Sequence, residues 1–252
     1  MKPQKVIITG ATAGIGEATA HHFAALGCDL VLTGRRGERL MLLKTLLEEK
    51  YNITVITLAF DVRNRDEVVA AFKQLPDSWH KVDVLVNNAG LALDLSPLNK
   101  GDYKDWDQMI DTNVKGLLYV SEAIMPWMIE QQKGHIINVG STAGLEVYPG
   151  GNVYCASKHA VNAISKAMRI DLLKHGIKVT QVRPGLTETE FSMVRFKGDK
   201  ERANKVYQGY QALQPQDIAD IIGYVATLPD HVNVNDIEVT PKVQANAYIL
   251  NK

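Results

Sequence analysis

Short apolar runs alternate with longer segments of mixed apolar and polar residues along the whole chain. The short runs, such as Lys5–Thr9, are rich in β-branched residues, which is typical of strands buried on both faces. The longer segments repeat apolar positions every three or four residues, which is typical of helices packed on one side. This alternation predicts a parallel sheet with helices on both faces.

The pattern predicts seven strands and seven helices. We place the strands at residues 5–9, 29–33, 54–60, 82–87, 135–140, 178–183 and 236–240. We place the helices at residues 15–26, 37–50, 65–74, 106–128, 153–175, 202–213 and 216–228. Together they describe a doubly wound α/β sheet of Rossmann type, and 252 residues fit one domain covering 1–252. Residues 186–198 show little periodicity, so we expect residues 186 to about 213 to form a substrate lid.

Composition excludes several classes of protein. Lys plus Arg and Asp plus Glu each number 28, so no net field attracts nucleic acid or an anionic membrane. No apolar run approaches the roughly 20 residues that span a bilayer. The cysteines Cys28 and Cys155 form no CxxC motif and no cluster with metal-ligand spacing. We therefore expect a cytoplasmic protein that binds small molecules, with no metal, membrane or nucleic-acid partner.

A glycine-rich turn, residues 9–16 (TGATAGIG), follows the first predicted strand and opens the first predicted helix. A dinucleotide pyrophosphate binds at this position in Rossmann folds, at the helix N-terminus. Gly10 permits the tight turn, and Gly14 and Gly16 allow close approach to phosphate and strand. A purely structural turn is the alternative, because three glycines alone are a weak signal.

The second strand ends at Arg35 and Arg36, where NAD-selective sites usually place an acid for the ribose 2′-hydroxyl. Two guanidinium groups suit a 2′-phosphate instead, so the sequence favours NADP over NAD. The alternative is a solvated basic start to the next helix. Further along, Asp61 and Val62 follow the third strand, where the carboxylate either accepts from adenine or caps a turn. Residues 87–90 (NNAG) end the fourth strand with small side chains, which permits close approach to a ribose.

Tyr154 and Lys158 lie one helical turn apart, so phenol and ammonium share one helix face. A phenol with a pKa near ~10 becomes a useful acid or base when a fixed positive charge lowers that pKa, and Lys158 would supply it. Ser141, after the fifth strand, would polarise the same substrate oxygen. Asn113 would hold a water that links Lys158 to solvent. Taken singly, each has an ordinary explanation as a surface pair, a cap or an exposed amide.

The order of these motifs resembles the short-chain dehydrogenase/reductase family over nearly the whole chain. They are TGxxxGxG, NNAG, Asn113, Ser141, YxxxK at 154–158, and the Pro184-Gly185 pair. The resemblance implies hydride transfer with a nicotinamide, a contact of Lys158 with its ribose, and carboxamide binding after Pro184. It also implies a homotetramer. The cofactor contacts expected in all are Gly10, Thr12, Ala13, Gly14, Ile15, Gly16, Arg35, Arg36, Asp61, Val62, Asn88, Ala89, Gly90, Tyr154, Lys158, Pro184, Gly185, Thr187 and Thr189.

Within that family, residues 140–144, 148, 150–154, 184–186, 189–192 and 194–199 are similar to the NADP-dependent 3-hydroxy acid or serine dehydrogenases. Such substrates carry a carboxylate, and Arg195 is the best-placed cation to bind it. The expected substrate contacts are Ser141, Tyr148, Tyr154 and Arg195. Glu146 departs from the pattern of these enzymes and is expected to place negative charge near the pocket. Arg183 and Thr187 also depart from it, although the segment of Thr187 is expected to act through its backbone.

Two other functions remain open on the sequence. A carbonyl reductase for larger ketones or diketones would accommodate the departure at Glu146. A non-catalytic NADP-binding regulator would keep the glycine-rich turn, but it would have no need of the proton donor Tyr154.

Overall fold

The computed structural model describes residues 3–251 and contains one sheet of seven parallel strands. The strands are β1 (Lys5–Thr9), β2 (Asp29–Gly34), β3 (Val55–Ala59), β4 (Val84–Asn87), β5 (Gly134–Val139), β6 (Ile177–Pro184) and β7 (Asp236–Val239). Their order is β3-β2-β1-β4-β5-β6-β7. The predicted Rossmann-type sheet is confirmed, and no predicted strand end is displaced by more than two residues.

The helices cover both faces of this sheet. They are α1 (Gly14–Ala25), α2 (Gly37–Tyr51), α3 (Arg65–Lys73), α4 (Tyr103–Ile110), α5 (Leu117–Gln131), α6 (Asn152–Leu172), α7 (Phe191–Arg195), α8 (Lys200–Lys205) and α9 (Pro215–Thr227). Alternation along β1 shows how the layers form: Val6 and Ile8 pack against one helical layer and Ile7 against the other. Within residues 3–251, none of the helices has the length and apolar character needed to cross a membrane.

Two predicted helices differ from the structure. The helix expected at 106–128 is interrupted by a π-helix, Asp111–Gly116, between α4 and α5. The prediction of a helix at 202–213 was wrong in its second half, because α8 ends at Lys205. Leu213, at the end of the expected lid, instead pairs with the start of the lid. Its backbone N–H donates to Leu186 (3.0 Å), and its carbonyl accepts from Glu188 (2.8 Å). Helix α7 was missed because its five residues are too few to show a period.

The strand order reverses direction between β1 and β4, which are neighbours in the sheet although β2 and β3 separate them in sequence. Helices leave opposite faces on either side of such a reversal, which opens a crevice at the carboxyl ends of the strands. The glycine-rich turn follows β1, residues 88–90 follow β4, and Ser141 follows β5. The fold therefore brings these segments to one edge of the sheet.

Candidate active site

A cavity of about 420 Å³ lies along this edge, from the glycine-rich turn at one end to Tyr154 and Lys158 at the other. Every predicted catalytic, cofactor and substrate residue lines it except Gly16 and Asn113. It also has walls that the sequence did not suggest: Phe60, Leu91, Thr112, Phe191, Tyr207, Gln244 and Ala247. The cavity has room for an extended ligand that reaches from the turn to the phenol.

The glycine-rich turn leaves the N-terminus of α1 open toward this cavity. Gly10 and Gly14 have φ values of 65° and 56°, which side-chain-bearing residues rarely adopt. No side chain caps α1 at Ala13, so its first N–H groups have no intrahelical partner. Gly16 plays a different part, because a Cβ there would lie 2.3 Å from the Gly10 carbonyl oxygen. These features fit a bound pyrophosphate, with Gly16 required for packing behind the turn.

Arg35 and Arg36 lie at the same end of the cavity but in different surroundings. The Arg36 guanidinium donates to Thr12 Oγ1 (2.8 and 3.1 Å) and to Glu190 (2.8 Å). The Arg35 guanidinium makes no hydrogen bond within residues 3–251, so all its donors remain available to a ligand. An unpaired guanidinium beside an uncapped helix N-terminus fits the phosphates of a dinucleotide.

Asp61 lines the cavity with its carboxylate already engaged. Partial burial alone would raise the pKa of Asp61, but hydrogen bonds from Arg63 outweigh it, and the pKa lies below its ordinary value. The shortest of these bonds, from Arg63 Nη2 to Oδ2, measures 2.7 Å. Any contact of Asp61 with adenine is therefore shared with Arg63, which sequence reasoning did not consider.

Tyr154 and Lys158 lie in the first two turns of α6, and both are buried, at 9% and 6% exposure. Lys158 Nζ donates to the Val139 carbonyl at 2.9 Å, and burial lowers the pKa of Lys158 to about 8. Burial raises the pKa of Tyr154, while the charge of Arg195 and a hydrogen bond with Ser141 act against that rise. Arg195 is the cation that acts against this rise in the pKa of the phenol, and sequence reasoning, which assigned that effect to Lys158, did not consider it.

Ser141 and Asn113 are held by local structure. Ser141 Oγ accepts from Ala143 N (3.1 Å), so it caps a short turn and also faces the cavity. Asn113 lies in the π-helix and is only 2% exposed, which excludes the exposed-amide alternative. Its side-chain oxygen accepts a hydrogen bond from Leu91 N and its side-chain nitrogen donates one to the Leu91 carbonyl, both at 2.8 Å. A Cβ at Gly90 would lie 3.2 Å from Asn113 Oδ1 and 3.6 Å from Lys158 Nζ, so both side chains lie beside this glycine and a larger residue there would crowd them.

Arg195 lies beside the phenol, at the opposite end of the cavity from Arg35. Its Nη2 donates to Tyr148 Oη at 2.7 Å. Its guanidinium carbon lies 5.0, 5.1 and 5.8 Å from the ring centres of Phe191, Tyr154 and Tyr148. Arg195 Nε is buried and has no hydrogen-bond partner in the described part of the chain. A desolvated cation with an unused donor suits an anionic ligand.

The sequence departures lie at different distances from the cavity. Glu146 is exposed and does not line the cavity itself, but its carboxylate accepts from the N–H of the wall residue Ala247 (3.0 Å), so its negative charge lies beside the wall of the cavity. Arg183 is buried between β6 and β7, where it pairs with Asp236 at 2.6 Å. Thr187 does line the cavity, and its backbone bridges to Leu213, consistent with a main-chain role.

Two of the wall residues that sequence reasoning missed lie in segments without a predicted site residue. Gln244 Oε1 accepts from Leu186 N (2.9 Å), which fixes the start of the lid to residue 244. Tyr207 Oη donates to the Thr187 carbonyl at 3.0 Å. Neither residue belongs to a motif, so the sequence contains no signal that places its side chain at the cavity. Within residues 3–251, no group of three or more His, Cys, Asp or Glu residues is arranged to hold a metal ion.

Known proteins share this architecture and much of the sequence. The NADP-dependent 3-hydroxy acid dehydrogenase YdfG of Salmonella typhi is 50% identical over 243 residues, covering 96% of both chains. The sulfoacetaldehyde reductase of Chromohalobacter salexigens is 49% identical over 241 residues, or 95% of this chain and 94% of that protein. The structure of the closed form of serine dehydrogenase complexed with NADP+ superimposes with a TM-score of 0.92 at 46% identity, covering 99% of each chain.

A family model described as short chain dehydrogenase matches residues 4–200. The matched region contains the glycine-rich turn, both arginines after β2, and the Ser141, Tyr154 and Lys158 side chains around one cavity. The chain belongs to the short-chain dehydrogenase family and is an oxidoreductase.

Proposed function

We propose that this enzyme transfers a hydride between NADP(H) and a small 3-hydroxy acid of the serine or 3-hydroxypropionate type, or its carbonyl product. The observation that carries the substrate class is Arg195, a cation with a buried, unused donor next to the reacting phenol. Relatives at 47–50% identity are NADP-dependent 3-hydroxy acid dehydrogenases, which supports the same assignment.

The glycine-rich turn and the residues after β2 would hold the cofactor. The open N-terminus of α1 would bind the pyrophosphate, and Arg35, aided by Arg36, would bind the 2′-phosphate. Lys158 would contact the nicotinamide ribose, and the backbone at Pro184, Gly185, Thr187 and Thr189 would contact the carboxamide. When bound, the cofactor supplies or accepts the hydride at its nicotinamide.

Tyr154 would move the proton at the substrate oxygen. Burial raises the pKa of Tyr154, so the phenol is held protonated and ready to donate to a carbonyl oxygen as the substrate is reduced. Arg195 stabilises the phenolate left behind, and Ser141 orients the oxygen. Lys158 and Asn113, whose side chains both lie beside Gly90, would return the proton to Tyr154. In the oxidative direction Tyr154 removes the hydroxyl proton instead.

Arg195 would bind the acid group of the substrate at the same time as Tyr154 binds its oxygen. The same guanidinium would bind a sulfonate by donating to its oxygens. One relative is a sulfoacetaldehyde reductase, so a small sulfonate is the second candidate substrate. A reductase for larger ketones has less support, because the relatives at 47–50% identity are 3-hydroxy acid dehydrogenases. A non-catalytic regulator would not require Tyr154 and Ser141 within hydrogen-bonding reach of each other.

A substrate panel tests this proposal. We expect purified enzyme to reduce NADP, but hardly NAD, with 3-hydroxypropionate, serine, allo-threonine or 3-hydroxyisobutyrate, and 2-hydroxyethanesulfonate tests the sulfonate. Tyr154→Phe should lose at least about 100-fold in turnover, the lower end for loss of a general acid, while it binds NADPH as the wild type does. Activity restricted to neutral ketones would overturn the substrate class, and full turnover by the Phe variant would overturn the role of Tyr154.

We further propose one catalytic domain over 1–252 with a lid at about 186–213, working as a homotetramer in the cytoplasm. Exposed apolar side chains on the outer face of α6, Ile170 at 75% and near its end Leu173 at 74%, support association of subunits. Light scattering after gel filtration measures the assembly, and a monomeric mass for active enzyme would contradict it.

A further inference from the structure

The short helix α7 connects the two ends of the cavity. Arg195 and Phe191 lie on it beside Tyr154, where the Phe191 and Tyr154 rings meet edge to face at 5.6 Å. Glu190 immediately precedes it and reaches the arginines at the opposite, cofactor-binding end. A displacement of one end of a five-residue helix is transmitted to the other end.

Two ion pairs join Glu190 to the start of α2. Glu190 Oε2 accepts from Arg36 Nη1 at 2.8 Å, and Oε1 accepts from Arg39 Nη1 at 2.8 Å. Arg36 is itself fixed to Thr12 of the glycine-rich turn. Arg39 does not line the cavity, so its guanidinium serves the contact with Glu190 and no ligand.

The far end of α7 is attached to another part of the protein. The Arg195 carbonyl accepts from Asp94 N at 2.9 Å, and Lys197 Nζ pairs with the largely buried Asp105 carboxylate at 2.8 Å. Near Glu190, by contrast, the neighbouring contact is steric: a Cβ on Gly14 would lie 3.1 Å from the Thr189 side chain. Glu190 therefore provides the charged attachment at the cofactor end of the helix.

We propose that Glu190 is a positioning residue: its carboxylate ties α7 to Arg36 and Arg39, and this tie holds Arg195 and Phe191 over Tyr154. The inference rests on the proposed function only in that the cavity takes cofactor at the α2 end and substrate at the Tyr154 end. Because Arg36 belongs to the cofactor end, the tie links filling of that end to the geometry of the substrate end.

The expected size follows from exposure. The side chains of Glu190, Arg36 and Arg39 are 43–49% exposed to solvent. An ion pair with this exposure changes the equilibrium constant between the attached and the detached helix by about two- to fivefold. Loss of the Glu190 charge breaks both pairs and should therefore raise the KM for the organic substrate about four- to 25-fold, with kcat nearly unchanged. Screening predicts that the difference from wild type shrinks at high salt, where the Debye length falls to ~3 Å.

The variants are Glu190→Gln, Arg39→Met and the double variant, with Glu188→Gln as matched control. Glu188 is an exposed acid of the same segment that contacts Gln214 (3.2 Å) and does not line the cavity. We expect both single variants to raise the substrate KM, the double variant to add little, and the control to match wild type. The NADPH-over-NADH preference, measured by direct binding titration, should persist in all four.

Hydrogen exchange of the amides in residues 190–198, measured with NADPH bound and no substrate, gives a second readout. It should be faster in Glu190→Gln and Arg39→Met than in wild type and the control. Wild-type exchange and KM in both variants would overturn the tie, as would loss of the NADPH preference, which would make Glu190 a cofactor residue. Failure of the proposed function would show differently, as wild-type enzyme that neither binds NADPH nor turns over 3-hydroxy acids.

Discussion

Replacement of Arg195 by Met isolates the contact between the enzyme and the acid group of its substrate. Met keeps a long, flexible side chain that can pack among the Phe191, Tyr154 and Tyr148 rings, but it removes the positive charge and every donor. Arg195 Nε has no hydrogen-bond partner among residues 3–251, so one donor of this side chain is unused in the wild-type site.

The magnitude follows from that geometry. A hydrogen bond to a charged group contributes about 1.5–3 kcal/mol, which corresponds to about 10- to 150-fold in kcat/KM. Arg195 also lowers the pKa of Tyr154 against the effect of burial, so its removal slows proton transfer for every substrate. A matched neutral substrate separates the two effects, because it suffers only the second.

The assay compares 3-hydroxyisobutyrate with its methyl ester, following NADP reduction. Arg195→Met should lose about 10- to 150-fold more kcat/KM on the acid than on the ester, the range for one charged hydrogen bond. Arg195→Lys should fall between, because an ammonium keeps the charge without the planar fork. Equal losses on acid and ester would refute the reasoning, since they would leave Arg195 acting on Tyr154 alone.

Three further predictions concern the cofactor, the pH dependence of folding and the turn. Arg35→Ala should weaken NADPH binding about 10-fold or more and leave NADH binding unchanged, as titration would measure. Burial lowers the pKa of His135 from 6.5 to about 3, so the folded state binds the imidazole proton less readily than the unfolded state, and acidification below pH 6.5 lowers the free energy of unfolding. His135→Gln should remove about 1.4 kcal/mol per pH unit of this decrease, as measured by urea unfolding at several pH values. Gly16→Ala should cost about 1–3 kcal/mol, because its Cβ would lie 2.5 Å from Asn88 Nδ2, whereas Gly37→Ala, with its nearest atom at 3.5 Å, should be tolerated.

Each has a distinct contrary outcome. Equal loss of NADPH and NADH binding would show that Arg35 does not read the phosphate. An unchanged pH slope in the His135 variant would mean that other groups set the acid sensitivity. Equal melting temperatures for the two alanine variants would mean that the turn can move away from Asn88.

The sheet was predictable because its signal is local. Runs such as Val6–Ile8 are apolar on both faces, and the glycine-rich turn marks the junction of strand and helix. Tyr154 and Lys158 were predictable for the same reason, since four residues of helix fix their common face. The carboxyl-edge rule for parallel sheets then brought Ser141 and the glycine-rich turn to the same side.

Contacts between distant segments were not predictable. The carboxylate of Glu146 bonds to the wall residue Ala247, 101 positions away, and no motif predicts that contact. Gln244 contacts the lid and Glu190 contacts α2, and no motif in the sequence predicts either contact. The π-helix around Asn113 was also missed, because a single widened turn of six residues is too short to show a period of its own.

The sequence by itself determined the order of strands and helices, the open phosphate turn and the shared face of Tyr154 and Lys158, because each depends on backbone preferences and side-chain spacing within a few residues. Only the tertiary structure decided which charge acts on Tyr154. Arg195 lies 41 positions beyond it and acts on the phenol because α7 is held over α6 by contacts with α2 and with the loop after β4. Burial, which sets the pKa values of Tyr154 and Lys158, is likewise a property of the assembled layers.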